Sequence, residues 1–147
     1  MPTMSTVQTL DQRRARHAWD AVQAIVREHV RMEDGKRLPN EYAKKFGMHA
    51  RKLPSRIIAS GLGQALAFLH AKANAPDLLV EIGDWILDKS KNPKSNKPKP
   101  GEADLVRKIL DEPSDFLRLA TTETLSYLQW LIRFAEAEGL MKEITGD

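Results

Sequence analysis

Apolar side chains recur at helical spacing along most of this 147-residue chain, and they predict a succession of helices. The first runs from about Leu10 to Glu33, with Ala15, Ala18, Trp19, Val22, Ile25, Val26 and His29 on one stripe. Thr9 followed by Gln12 offers a capping box at its start. Asp34 to Pro39 breaks the pattern and reads as a loop. Asn40 caps a second helix to about Arg51, where Tyr42 and Phe46 form an i, i+4 pair. Pro54 opens a short third helix to Ser60, stopped by Gly61. Leu62–Ala73, carrying Leu66, Phe68 and Leu69, and Pro76–Leu87, carrying Leu79, Ile82, Trp85 and Ile86, follow. A short helix, Ala103–Asp111, precedes a long last one from Pro113-Ser114 to about Glu138, ended by Gly139. Its buried stripe is expected to hold Leu117, Ala120, Leu125, Leu128, Leu131, Ile132 and Ala135. No alternating strand segment and no solenoid period stands out. The predicted fold class is all-α: a compact single-domain bundle of about six or seven helices over residues 1–147, with long first and last helices.

Two stretches lie outside that pattern. Residues 1–9 are polar and read as a flexible N-terminus, without the apolar core of a signal peptide. Residues 88–101 form a Lys/Pro-rich loop; Lys89 to Pro100 contains no apolar residue besides proline, so burial cannot offset its ordering entropy. Cysteine is absent, which removes disulfides, thiolate metal sites and cysteine nucleophiles together. No apolar run approaches the ~20 residues of a membrane span. The expected location is the cytoplasm, with no membrane partner.

Catalytic and metal-binding patterns are not found. The histidines stand at 17, 29, 49 and 70, never one helical turn apart, so no zinc helix is indicated and His29 reads as a hydrogen-bonded residue at the core edge. Gly61-Leu62-Gly63-Gln64 lacks the third glycine, preceding strand and acidic partner of a dinucleotide fingerprint. No Gly-x-Ser-x-Gly elbow surrounds a serine. The expectation is a protein that is not an enzyme, with no cofactor and no metal. Trp19 and Trp85 fall on apolar stripes and are expected in the core; Trp130, with Tyr127 and Gln129, lies toward a stripe edge that a partner subunit could cover.

Charge is what gives the chain a direction. The net charge is +3, yet residues 1–60 hold 12 Lys/Arg against 6 Asp/Glu, and residues 101–147 hold 5 against 10. Such asymmetry suits a basic part that meets phosphates, or basic and acidic ends that meet in a stack. On the first helix Arg13, Arg16, Arg27 and Arg31 share the side opposite the apolar stripe, with Arg14 at its margin. Lys44, Lys45, Arg51, Lys52 and Arg56 make a second cluster. The Lys-rich loop is a weaker candidate, since mobile lysines are common in loops.

Three segments carry a family likeness: Leu10-Asp11-Gln12-Arg13-Arg14-Ala15-Arg16-His17-Ala18-Trp19; Arg51-Lys52-Leu53-Pro54 leading through Ile57 to Gly61-Leu62-Gly63-Gln64-Ala65-Leu66-Ala67-Phe68; and Ala120 to Glu136, reading ATTETLSYLQWLIRFAE. Together they resemble the small subunit of the type III-B CRISPR effector, the Cmr RNA-silencing complex. The likeness implies a non-catalytic helical subunit present in more than one copy, stacked head to tail beside the filament that holds the guide RNA. It implies RNA-facing roles for Arg13, Arg14, Arg16 and Lys52, with Arg56 added by position. Ser60, where asparagine is expected, and Thr124, where alanine is usual, depart from the pattern. Residues 33–47 and 88–101 gain no support from it.

Chemistry and likeness together give an expectation. The chain is a structural subunit of a type III-B CRISPR RNA-targeting complex, contacting guide and target RNA backbone through Arg13, Arg14, Arg16, Arg27, Lys45, Arg51, Lys52 and Arg56. Base pairing with the guide supplies sequence information, so these cations need only meet phosphates. Other subunits of the complex and further copies of the chain are its expected partners. The competing readings are a free-standing helical DNA-binding regulator and a purely protein–protein scaffold.

Overall fold

The computed structural model describes residues 7–72, 75–92 and 97–141. Its elements run α1 (Leu10–His29), β1 (Val30–Glu33), β2 (Lys36–Pro39), α2 (Glu41–Ser60), α3 (Leu62–Lys72), α4 (Pro76–Leu87), α5 (Asp104–Asp111) and α6 (Ser114–Ala137). Among the described residues the fold is all-α apart from one hairpin. Residues 1–6, Ala73 and residues 93–96 of the Lys/Pro-rich loop lie outside the described residues.

Helix α1 starts as its sequence requires. Thr9 Oγ1 accepts from the Gln12 amide at 3.0 Å, and Gln12 Oε1 accepts from the Thr9 amide at 2.8 Å. It ends four residues earlier than the apolar pattern suggests. Asp34 (φ 52°) and Gly35 (φ 74°) form a two-residue turn in the left-handed region, whose twist suits a tight hairpin. Strands β1 and β2 pair antiparallel across it, Val30 opposite Pro39 and Glu33 opposite Lys36. This corrects the expectation of a helix to Glu33 and a plain loop. The Asp-Gly pair between short runs was the available signal. Arg37 Nε then reaches Glu138 at 3.0 Å, tying the hairpin to the end of α6.

A second difference matters more for function. Residues 41–60 form one unbroken helix, not two, with Pro54 inside it. Pro54 has no amide to donate to the Ala50 carbonyl, a loss that costs about 3 kcal/mol in an exposed helix. Burial of Phe46, Ala50, Leu53 and Ile57 along the same face offsets it. Asn40 Oδ1 caps the start, accepting from the Ala43 amide at 2.9 Å, and Gly61 (φ 87°) ends the helix.

Helix α6 packs most extensively on α1 and then on α2, closing the core. Its buried line is Ala120, Thr124, Tyr127, Leu128, Leu131 and Ala135, while Leu117 is exposed and Leu125 and Ile132 are half-buried. The stripe is thus rotated toward Thr124 and Tyr127 relative to expectation, because the aromatic centre of the core lies on that side. Trp85 stacks on Tyr127 with ring centroids 6.0 Å apart. His17 Nδ1 lies 2.7 Å from the Tyr127 hydroxyl and its Nε2 2.7 Å from Asp84 Oδ2. Thr124 Oγ1 is buried without a hydrogen-bond partner among the described residues.

Candidate nucleic-acid interface

The continuity of α2 decides which cations share a surface. At about 100° per residue, positions 45, 49, 52 and 56 fall within a narrow sector of one helix. Lys45, His49, Lys52 and Arg56 therefore line a single stripe, which a break at Pro54 would have divided. Lys72, at the end of α3, joins them: its charge acts on His49 together with those of Arg56, Lys52 and Lys45. None of these four cations has a carboxylate partner among the described residues.

His49 records the field they make. Burial pushes its pKa below the ordinary imidazole value, and the charges of Arg56, Lys52, Lys72 and Lys45 push in the same direction. Arg56 Nη1 stands 3.2 Å from His49 Nδ1. A guanidinium only donates, so Nδ1 accepts and a neutral His49 carries its proton on Nε2, which is buried without a partner among the described residues. Arg56 also lies over the Phe68 ring at 4.5 Å from its centroid, and Lys72 Nζ at 5.1 Å. Phe68 itself is 41% exposed, although its helix's pattern placed it among core residues.

The arginines of α1 are differently employed. Arg14 is held by Glu123, through Nε to Oε2 at 2.5 Å and Nη2 to Oε1 at 2.8 Å, and by Asp11 at 2.6 Å. Arg13 Nη1 donates to the carbonyls of Ser90 at 3.2 Å and Lys91 at 3.4 Å. Arg16 is exposed and pairs loosely with Asp20 at 3.6 Å. Arg27 is exposed beside a cleft of about 440 Å³ that Asp20, Glu81, Asp84 and Asp88 also line. Arg31 has left the helix for β1, where it meets Glu33 at 3.3 Å. The shared arginine face expected on α1 is thus divided among four settings. Arg51 is exposed but falls on another side of α2 from the Lys45–Arg56 stripe.

In the acidic cleft His17, Glu81 and Asp84 bring ligand-type atoms within 4.8 Å of one another. Lys99 Nζ sits on this group, 2.8 Å from Glu81 and 3.5 Å from Asp84, and balances its charge from within the protein. Lys97 Nζ likewise approaches Asp88 at 3.6 Å, so these two lysines of the 88–101 loop fold back onto carboxylates. Glu81 and Asp84 are one turn apart on α4, but His17 and Lys99 reach them from distant segments that no spacing rule brings together.

A third surface is aromatic. Trp19 meets Phe134 edge-on at 5.2 Å and Trp130 stacks on Phe134 at 5.7 Å. With Ala15 and Arg16 they line an open groove of about 570 Å³. Trp85 is buried as expected, whereas Trp19 remains 36% exposed and Trp130 is half-buried, its Nε1 donating to Asp11 at 3.0 Å.

Residues 10–138 match the family model described as CRISPR-associated protein (Cas_Cmr5). The chain belongs to the Cmr5 family. The likeness to the Cmr small subunit carried by the three sequence segments is thereby borne out. A solved structure, the X-ray crystal structure of a CRISPR-associated Cmr5 family protein from Thermus thermophilus, matches with a TM-score of 0.65 at 21% identity. The match covers 88% of this chain and 97% of that one, and at that identity it speaks for the Cmr5 fold alone. No curated protein matches the chain. No helix among the described residues of this Cmr5 family member is long and apolar enough to cross a membrane.

Two residues of the α2/α3 surface escaped sequence reasoning. Lys72 lies outside the basic cluster in sequence, and Phe68 follows the apolar period of α3. A signal for the stripe did exist in the Lys45, Lys52, Arg56 spacing, and the proline concealed it.

Proposed function

We propose that this Cmr5 family protein is a non-catalytic structural subunit of a type III-B CRISPR effector, touching guide or target RNA through the phosphate backbone. The observation that carries this reading is the row of Lys45, Lys52 and Arg56 along α2, joined by Lys72, without carboxylate partners among the described residues. Cations left unpaired on one side of a rigid helix suit a polyanion, whereas surfaces built only for solubility intersperse both signs. Arg51 lies off the row, and Arg16 is open to solvent on α1. Arg13, Arg14 and Arg27 support the subunit's own architecture or its acidic cleft more than an RNA path. The Trp19, Trp130 and Phe134 groove and the acid-rich C-terminal part supply surfaces for a neighbouring copy or another subunit.

The test is to isolate the protein from its native cell at low salt and identify what accompanies it. Other CRISPR effector subunits and RNA are expected in the same particle, with the RNA contact weakening as salt rises. Recovery as a monomer without either would remove the assignment to an RNA-guided complex. Recovery with the subunits but with a salt-indifferent RNA contact would remove the phosphate mechanism.

A further inference from the structure

Phe68 belongs to the basic surface, yet phosphate contact makes no use of it. Phe68 is 41% exposed, as several other apolar side chains of this chain are, and what distinguishes it is what surrounds the ring. Its setting is specific. Arg56 lies over its ring at 4.5 Å, Lys72 at 5.1 Å, and Arg56 is further held by His49 at 3.2 Å. An aromatic face bordered by backbone-tracking cations is the combination that recognises single-stranded nucleic acid, where bases are free to stack. In an A-form duplex the bases are already stacked on each other, and a protein meets only phosphates, 2′-hydroxyls and base edges.

We infer that the α2/α3 surface takes an unpaired ribonucleotide, its base stacking on Phe68 while Arg56, Lys52 and Lys72 hold the flanking phosphates. This rests on the proposed RNA contact and names the form of RNA it fits. Lys72 carries a compact charge on a flexible stem, so it leaves the ring for a phosphate when a base arrives. Arg56 keeps its place, since its planar guanidinium is anchored by His49 and stacks on an aromatic face without desolvation comparable to that of an ammonium.

The test compares the full chain with its Phe68→Leu and Phe68→Tyr variants. Binding is followed by fluorescence anisotropy to a short mixed-sequence single-stranded RNA and to a blunt duplex of the same length, all at one low salt concentration. Leucine keeps the apolar bulk without the ring, so Phe68→Leu is expected to weaken single-strand binding roughly five- to tenfold, the lower part of the range for one stacked base. Duplex binding should change less than about twofold, and Phe68→Tyr should restore the single-strand affinity. Equal affinities of Phe68→Leu and the parent chain for the single strand would overturn the stacking inference while leaving phosphate contact standing. So would equal losses on both RNAs. Absence of binding to either RNA by the parent chain would overturn the proposed function and this inference with it. Thermal melts of all three proteins show whether a loss reflects unfolding; if Phe68→Leu melts early, the single-strand preference of the parent chain decides, and no preference overturns the inference.

Discussion

Arg14 and Glu123, 109 positions apart in the chain, meet through two parallel hydrogen bonds that join α1 to α6. Trp85 Nε1 donates to the same carboxylate at 2.8 Å, so α4 is drawn into the contact. Both side chains are largely covered, at 11% and 18% exposure. Glu123→Gln would leave Arg14 with Asp11, at 2.6 Å, as its remaining carboxylate partner and is expected to cost about 2–3 kcal/mol, in the range for charged hydrogen bonds. For a chain of this size that lowers the melting temperature by roughly 5–10 °C. A melt followed by circular dichroism checks it, and an unchanged midpoint would show the pair to be replaceable.

Gly47 tests a contest between propensity and packing. Alanine in place of glycine stabilises an exposed helix interior by about 1 kcal/mol. Here an added Cβ would overlap the Leu140 carbonyl oxygen, a backbone atom of the segment after α6. Gly47→Ala is therefore expected to destabilise by about 1–3 kcal/mol, the cost of overpacking, despite its better propensity. A denaturant titration that found the variant more stable would mean the Leu140 segment is free to withdraw.

Acid should act on this protein in two stages. The folded-state pKa of His49 lies below its unfolded value, so between the two the unfolded chain binds more protons. Stability contributed by neutral His49 is present above about pH 6.5 and falls as pH drops below it. At Glu123 burial raises the carboxyl pKa, but hydrogen bonds from Arg14 and Trp85 outweigh it and hold the group below its ordinary range. Its contribution is present above that range and disappears as pH falls through the folded value. His49→Gln should flatten the upper stage and leave the lower one. Midpoints of urea unfolding measured across pH resolve them, and an upper stage persisting in His49→Gln would assign it elsewhere.

The α2 row makes a quantitative prediction about salt. Each cation that meets a phosphate of single-stranded RNA contributes about 0.7 to the slope of log affinity against log salt. Lys52→Gln and Arg56→Gln should each reduce that slope by about this amount, with affinity falling alike for different sequences. Arg51→Gln, off the row, should leave the slope nearly unchanged. Equal reductions from all three would describe a diffuse cationic field without a defined path.

Local rules were sufficient wherever structure is local. The Thr9 and Gln12 cap, the start of α3, the extent of α4 and the core place of Trp85 follow from residues within a few turns of one another, and helical periodicity reports them directly. The Asp34-Gly35 hairpin was also within reach, but the apolar period running up to His29 suggested a helix that continued past it and masked it. Tertiary structure decided what depends on distant partners. Whether α2 survives Pro54 is settled by the burial of Leu53 and Ile57, since only packing can compensate the missing hydrogen bond. Whether an arginine is free for RNA or bound to Glu123 depends on a carboxylate 109 positions away. Charge is legible in a sequence because it belongs to the residue; availability is not, because it belongs to the neighbours the fold provides.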